Sequence, residues 1–198
     1  IANNMLLNLG SSGILVGSTE SQSVVVDVTN NVSVPYNSPY QSIRFAPFGN
    51  TWNPGSDVYV ANNTSFGSGG AMGIVSLAAD NNAVTLLNNI AWGYGTCFSV
   101  ASPAAESNYN LSSDLTAPGP SSLLSVPASG AGGVNFVDAA ARNYHLLANS
   151  AAIETGISLA SIYERDTDGQ KRPGGAQWDI GADEFGAPTA VKLVSFAA

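Results

Sequence analysis

Asp166, Asp168 and Gly169 have the spacing most suggestive of chemistry in this chain, since alternate oxygen ligands ahead of a glycine turn suit a hard cation such as Ca²⁺. A complete loop of that kind needs a later bidentate acid, and none stands at the required spacing. The same stretch also reads as a turn at Asp168-Gly169, with Asp166, Arg172, Asp179 and Glu184 joined in an ion-pair network. Asp166 and Asp168 are therefore the candidate Ca²⁺ ligands, and no other cofactor is expected. Trp52 and Trp92, with Tyr94, Tyr36 and Tyr40, offer ring faces that suit either sugar stacking or packing. His145 has no nucleophile elbow near it, so it makes no hydrolase pair with a serine. A uronate lyase needs clustered carboxylates and a nearby basic residue, and a glycosidase needs two carboxyls about 5 to 9.5 Å apart. Arg44 is the only basic residue before Arg142, and Glu20, Asp27, Asp57, Asp80, Glu106 and Asp114 are scattered singly, so no catalytic residue is assigned.

These residues sit in a chain of 198 with 14 Asp+Glu against 6 Lys+Arg, a formal charge of −8, and only 10% charged residues beside 44% hydrophobic. A typical domain is about 25% charged, so this one folds with a surface of amides, hydroxyls and backbone. Without a cationic footprint, nucleic acid is excluded as a partner. Apolar runs such as residues 73–79 fall far short of the roughly 20 residues that span a bilayer. Cys97 is alone, with neither a disulfide partner nor zinc-ligand company, and reads as a small buried residue. Ile1 opens the sequence without an initiator methionine or signal peptide, which suggests a longer precursor.

The elements that must position these groups repeat. Paired asparagines at 3–4, 30–31, 62–63 and 88–89 recur every 26 to 32 residues or so, within the range of stacked repeat architectures. Each later pair lies between β-prone pieces, as in Val58-Tyr59-Val60 before Asn62-Asn63 and Thr64-Ser65-Phe66 after it. A third strand candidate follows each pair: Ile14-Leu15-Val16, Ile43-Arg44-Phe45, Ile74 to Leu77, and Phe98-Ser99-Val100. Helix periodicity is hard to find before residue 135, and Gly, Asn, Ser and Pro punctuate the chain throughout. Three short strands per repeat, stacked at about 4.8 Å, predict an all-β parallel β-helix (β-solenoid) of about four coils. Asn4, Asn31, Asn63 and Asn89 would stack at one corner, where Asn tolerates positive φ and can bond its equivalent in the next coil. An antiparallel sandwich with Asn turns is the alternative.

The repeats, together with Asn135-Phe136-Val137-Asp138, Asn143 to Leu147, Ser150 to Gly156, Asp166 to Arg172 and Trp178 to Phe185, resemble right-handed parallel β-helix, pectate-lyase-like bacterial surface and secreted proteins with a choice-of-anchor type C-terminal region. The family pattern usually has proline after the serine matching Ser150 and aspartate where Glu154 stands. The resemblance implies coils over 1–125, a C-terminal capping extension over 126–187, and an extracellular or cell-surface location. Phe136, Leu146, Ile153, Ile162, Trp178 and Ile180 are the expected anchors of the extension. Residues 188–198 form a linker and a terminal strand, whose Val191, Leu193, Val194 and Phe196 could add to a neighbouring copy head to tail. The expected role is a non-catalytic structural solenoid of a surface, matrix or filament. A carbohydrate-binding or polysaccharide-degrading module is the alternative, with polysaccharide as partner.

Overall fold

The computed structural model describes residues 1–9, 13–17, 22–35, 41–47, 49, 51–67 and 69–186. Glu20, Tyr36, Tyr40, Val191, Leu193, Val194 and Phe196 lie outside them. The described residues are all-β, with parallel pairing dominant, no α-helix, and thus no helix long and apolar enough to cross a membrane.

Three parallel sheets take strands in rotation. The first holds β1 (Met5–Leu9), β4 (Val32–Pro35), β7 (Thr64–Phe66), β10 (Ile90–Trp92) and β12 (Leu111–Ser112). The second holds β2 (Ile14–Gly17), β5 (Ile43–Ala46), β8 (Met72–Ser76) and β11 (Thr96–Ser99). The third holds β3 (Val25–Thr29), β6 (Asp57–Ala61) and β9 (Val84–Leu87). A short antiparallel hairpin, β13 (Phe136–Asp138) and β14 (Asn143–Leu146), follows.

Register explains the core. Ile14, Ile43, Ile74 and Phe98 stand opposite one another along the second sheet, and Val28, Val60 and Leu86 along the third. Both rows are buried in one cluster, because like residues in register keep the same face of every strand turned inward. Intervening positions such as Leu15 and Asp27 face out. The first sheet is buried on its other face too. Its outward residues Val32, Ile90 and Leu111 pack against Phe136, Tyr144, Leu146 and Ile180 from the C-terminal segment. Gly181, at φ +103, lies so close that an added Cβ would stand 2.6 Å from Ile90 Cδ1 and 2.9 Å from Thr64 Oγ1. Only glycine fits there without displacing the sheet.

The two ends of these sheets differ. At one end, side chains of residues 107–116 take the outward N–H groups: Ser107 Oγ accepts from Leu86 at 3.1 Å, Ser113 Oγ from Gly93 at 2.9 Å, Asp114 Oδ2 from Cys97 at 2.9 Å and Thr116 Oγ1 from Phe98 at 2.8 Å. At the other end lie β1 and β2, each paired on one side only among the described residues, and β3, whose outer side is met by residues 1–3 through a parallel bridge from Ala2 to Thr29.

The first sheet has five strands, the second four and the third three, and Leu123 bridges Leu111 in parallel. One expectation needs correction. Ile162 is exposed, and Leu159 takes its anchoring place beside Trp178, because Ile162 falls on the far side of the turn that Leu159 closes by accepting its N–H.

Truncating Leu86 to Ala at the centre of the core is expected to cost about 2 to 5 kcal/mol, and Leu115→Ala on the surface less than about 0.5 kcal/mol. Denaturant unfolding of the two variants checks the contrast.

Candidate functional site

The asparagine pairs join the third sheet to the first, at the turns β3–β4, β6–β7 and β9–β10. The first member of each pair is left-handed, with φ of 56° at Asn3, 52° at Asn30, 49° at Asn62 and 54° at Asn88. Asn adopts this region at less cost than other non-glycine residues. The turn gives the two amides of each pair separate tasks.

The second asparagines form a ladder. Asn4 donates from its backbone N and its Nδ2 to Asn31 Oδ1, at 3.1 and 3.0 Å. Asn31 does the same to Asn63, Asn63 to Asn89, and Asn89 to Asn110, all between 2.9 and 3.1 Å. Asn110 is a fifth member that pair-spotting misses, because Tyr109, at φ 54°, holds the position before it. The signal that finds it is the triplet Asn-apolar-small in Asn31-Val32-Ser33, Asn89-Ile90-Ala91 and Asn110-Leu111-Ser112. Ser122 Oγ accepts the Asn110 N–H at 2.9 Å and ends the row.

The first asparagines grip the C-terminal segment. Asn30 donates to Arg165 O at 2.7 Å, Asn62 to Asp179 O and Gly181 O at 2.9 Å each, and Asn88 to Ile157 O at 2.8 Å while accepting the Ile157 N–H. Tyr163 OH donates to Asn62 Oδ1 at 2.7 Å.

The expected four-residue ion-pair network reduces to one pair. Arg172, 1% exposed, donates to Glu184 at 2.7 Å and to the carbonyls of Gly181 and Ala182 at 2.9 Å, and its guanidinium lies 5.5 Å over the Trp178 ring. Asp166 instead accepts the N–H groups of Asp168, Gln170 and Glu184, and Asp179 those of Glu154 and Phe185. A buried segment without regular structure must find acceptors for its backbone donors, and these carboxylates supply them.

Asp166 is turned to backbone, whereas Asp168 Oδ2 lies 2.7 Å from His145 Nε2. The structure gathers a different trio: His145, Asp168 and Asp183 each bring one ligand-type atom within 4.8 Å of the others.

Among the aromatics, Trp92 stacks on Phe66 at 5.2 Å and donates to Val126 O, so it serves packing. Tyr94 is buried in the core and hydrogen-bonds Ser65. Trp52 is half-buried, donates to Asn81 Oδ1 at 2.9 Å, and borders an open cleft of about 430 Å³ with Asn53, Ser56, Asp80 and Asn82.

No family model, curated protein or solved structure matches this chain.

Burial raises the pKa of Asp166, Asp179 and Asp183 above the usual carboxylate value, Asp179 to about 7 with help from the Glu184 charge. His145 is also raised: burial opposes its charge, but Asp168 and Asp183 outweigh that. In all four the contribution to stability is complete below the ordinary pKa and is lost as pH rises through the folded value. Asp114 is opposite: burial is outweighed by hydrogen bonds from Thr116 and the Cys97 N–H, its pKa is lowered, and its contribution is lost in acid. Maximum melting temperature is therefore expected near about pH 4, between the loss of Asp114's contribution in acid and the loss of the others' as pH rises, with a fall by about pH 8; a thermal scan across pH with a maximum above neutrality would contradict this.

Asn63→Ala removes an amide that donates to Val28 O, Ala61 O and Asn89 Oδ1, and about 3 kcal/mol or more of stability should go with it. Asn4→Ala, at the partly exposed end of the row, should cost about 1 kcal/mol or less. Equal unfolding midpoints for the two variants would contradict the ladder's role.

Proposed function

We propose that this chain is a right-handed parallel β-helix, a three-sided solenoid, and that it serves as a non-catalytic structural component of an extracellular surface or matrix. The asparagine row running through five successive turns carries the reading, because a buried amide ladder repeated at strand spacing suits a stacked body of coils. The rotation of the chain through three parallel sheets supports the same architecture. Handedness and extracellular placement rest on the sequence resemblance. Of the structural roles, surface or matrix component is better supported than head-to-tail filament. Strand addition at the end carrying Ser107, Ser113, Asp114 and Thr116 would have to displace the side chains that already occupy its N–H groups.

The cleft beside Trp52 favours a second reading, a carbohydrate-binding module, since a fixed indole flanked by amides and a carboxylate suits a sugar ring. Two measurements decide between them. Immunogold labelling of intact source cells should mark the outer surface or surrounding matrix, and label confined to the cell interior would contradict the structural role proposed. Polysaccharide pull-down should give no saturable retention; retention abolished by Trp52→Ala would establish the carbohydrate reading instead.

A further inference from the structure

His145, Asp168 and Asp183 come from three separate stretches: strand β14, the turn that follows Asp166, and the run that leads to Glu184. Nothing in their sequence spacing joins them, yet their ligand-type atoms all lie within 4.8 Å of one another. Between them is a pocket of about 10 Å³, walled by Met5, Val32 and Tyr144. That is about the space for one small guest, a single ion or water, and far too little for an organic ligand. We propose that these three residues form a mononuclear site for a divalent transition metal of the zinc class.

The donor set selects that class. One imidazole nitrogen and two carboxylate oxygens match the ligands Zn²⁺ accepts, with its fourth position left to water. Ca²⁺ takes six to eight oxygens and is poorly served by a site whose first ligand is nitrogen.

The surroundings orient the ligands. His145 Nδ1 lies 2.5 Å from Asn143 Oδ1, an oxygen that can only accept, so Nδ1 carries a proton and Nε2 is the nitrogen turned to the trio. A histidine ligand held in one tautomer by a hydrogen bond on its other nitrogen is the usual arrangement at a metal. Asp183, 6% exposed, is fixed in turn by the Leu146 N–H, which donates to its Oδ2 at 2.7 Å.

The protons must also be accounted for. Without a metal, the 2.7 Å contact from Nε2 to Asp168 requires a proton on Nε2 as well as on Nδ1. A divalent ion takes the place of the Nε2 proton: the nitrogen lone pair binds the metal, the proton leaves to solvent, and both carboxylates remain ionised as ligands. One proton is released for each protonated site filled. The bound ion would tie the β14 hairpin to the two later stretches beside Met5 of the first sheet.

Calorimetric titration of the whole 198-residue chain with ZnCl₂ tests the proposal. One ion should bind per chain, with a proton release that shows as a dependence of the apparent heat on buffer ionisation enthalpy. At saturation the melting temperature should rise by about 5 °C, and CaCl₂ should leave it unchanged. His145→Ala and Asp168→Asn, both at solvent-accessible positions, should keep the fold by circular dichroism and lose both the binding and the rise. Co²⁺ in place of Zn²⁺ should give visible absorption bands in the wild type alone. Absence of saturable binding in the wild type, unchanged binding in either variant, or an equal response to Ca²⁺ would each overturn the site.

Discussion

A buried primary amide must satisfy two donors and an acceptor at once, and in this protein each second asparagine meets the demand through its counterpart one circuit along the chain. Asn63 shows the constraint most fully: its Oδ1 accepts twice from Asn31, while its Nδ2 serves Asn89 and the carbonyls of Val28 and Ala61. A slip of one residue in any strand would strand several of these groups and turn the apolar rows of the neighbouring sheets outward. The sequence separations along the row are 27, 32, 26 and 21 residues, so length variation is absorbed away from this corner. The corner holds the register.

The left-handed residue before each rung links this corner to the rest of the chain. Its amide is left to face the C-terminal segment, which has little regular structure of its own and is held by side-chain contacts rather than by a continuous sheet. Asn30, Asn62 and Asn88 supply fixed polar attachment points, and the apolar face of the first sheet supplies the area beneath them. Arg172 then closes the arrangement, paired with Glu184, bonded to the carbonyls around Gly181, and reaching Asn30 Oδ1 at 3.2 Å. One dipeptide therefore organises both the stack and its cover.

Much of this was legible in the sequence because it is periodic. The asparagine pairs, the apolar triplets between them and the scarcity of helix pattern predict parallel strands taken in rotation. The division of labour within a pair was not legible, because it depends on the sign of φ at the first residue, and a sequence of two identical letters does not reveal which one carries it. Asn110 escaped because Tyr109 fills the left-handed position, which asparagine usually takes but does not own. Candidate cation ligands were chosen by local spacing, which selected Asp166 beside Asp168. The chain instead brings His145 and Asp183 to Asp168 from elsewhere, a juxtaposition made by tertiary folding and absent from any short motif. Trp52 and Trp92 looked equivalent as letters and differ only in what the fold lays over them.

The ladder can be tested at the atoms that make it. In a ¹⁵N-labelled sample the side-chain amide protons of Asn31, Asn63, Asn89 and Asn110 each lie in a chain of buried bonds. Hydrogen exchange followed by NMR should find these protons protected to the same degree as the backbone amides of the core, opening only with global unfolding. Exchange of the Asn63 and Asn89 side-chain amides at the rate of exposed asparagines, while the core backbone stays protected, would contradict the account.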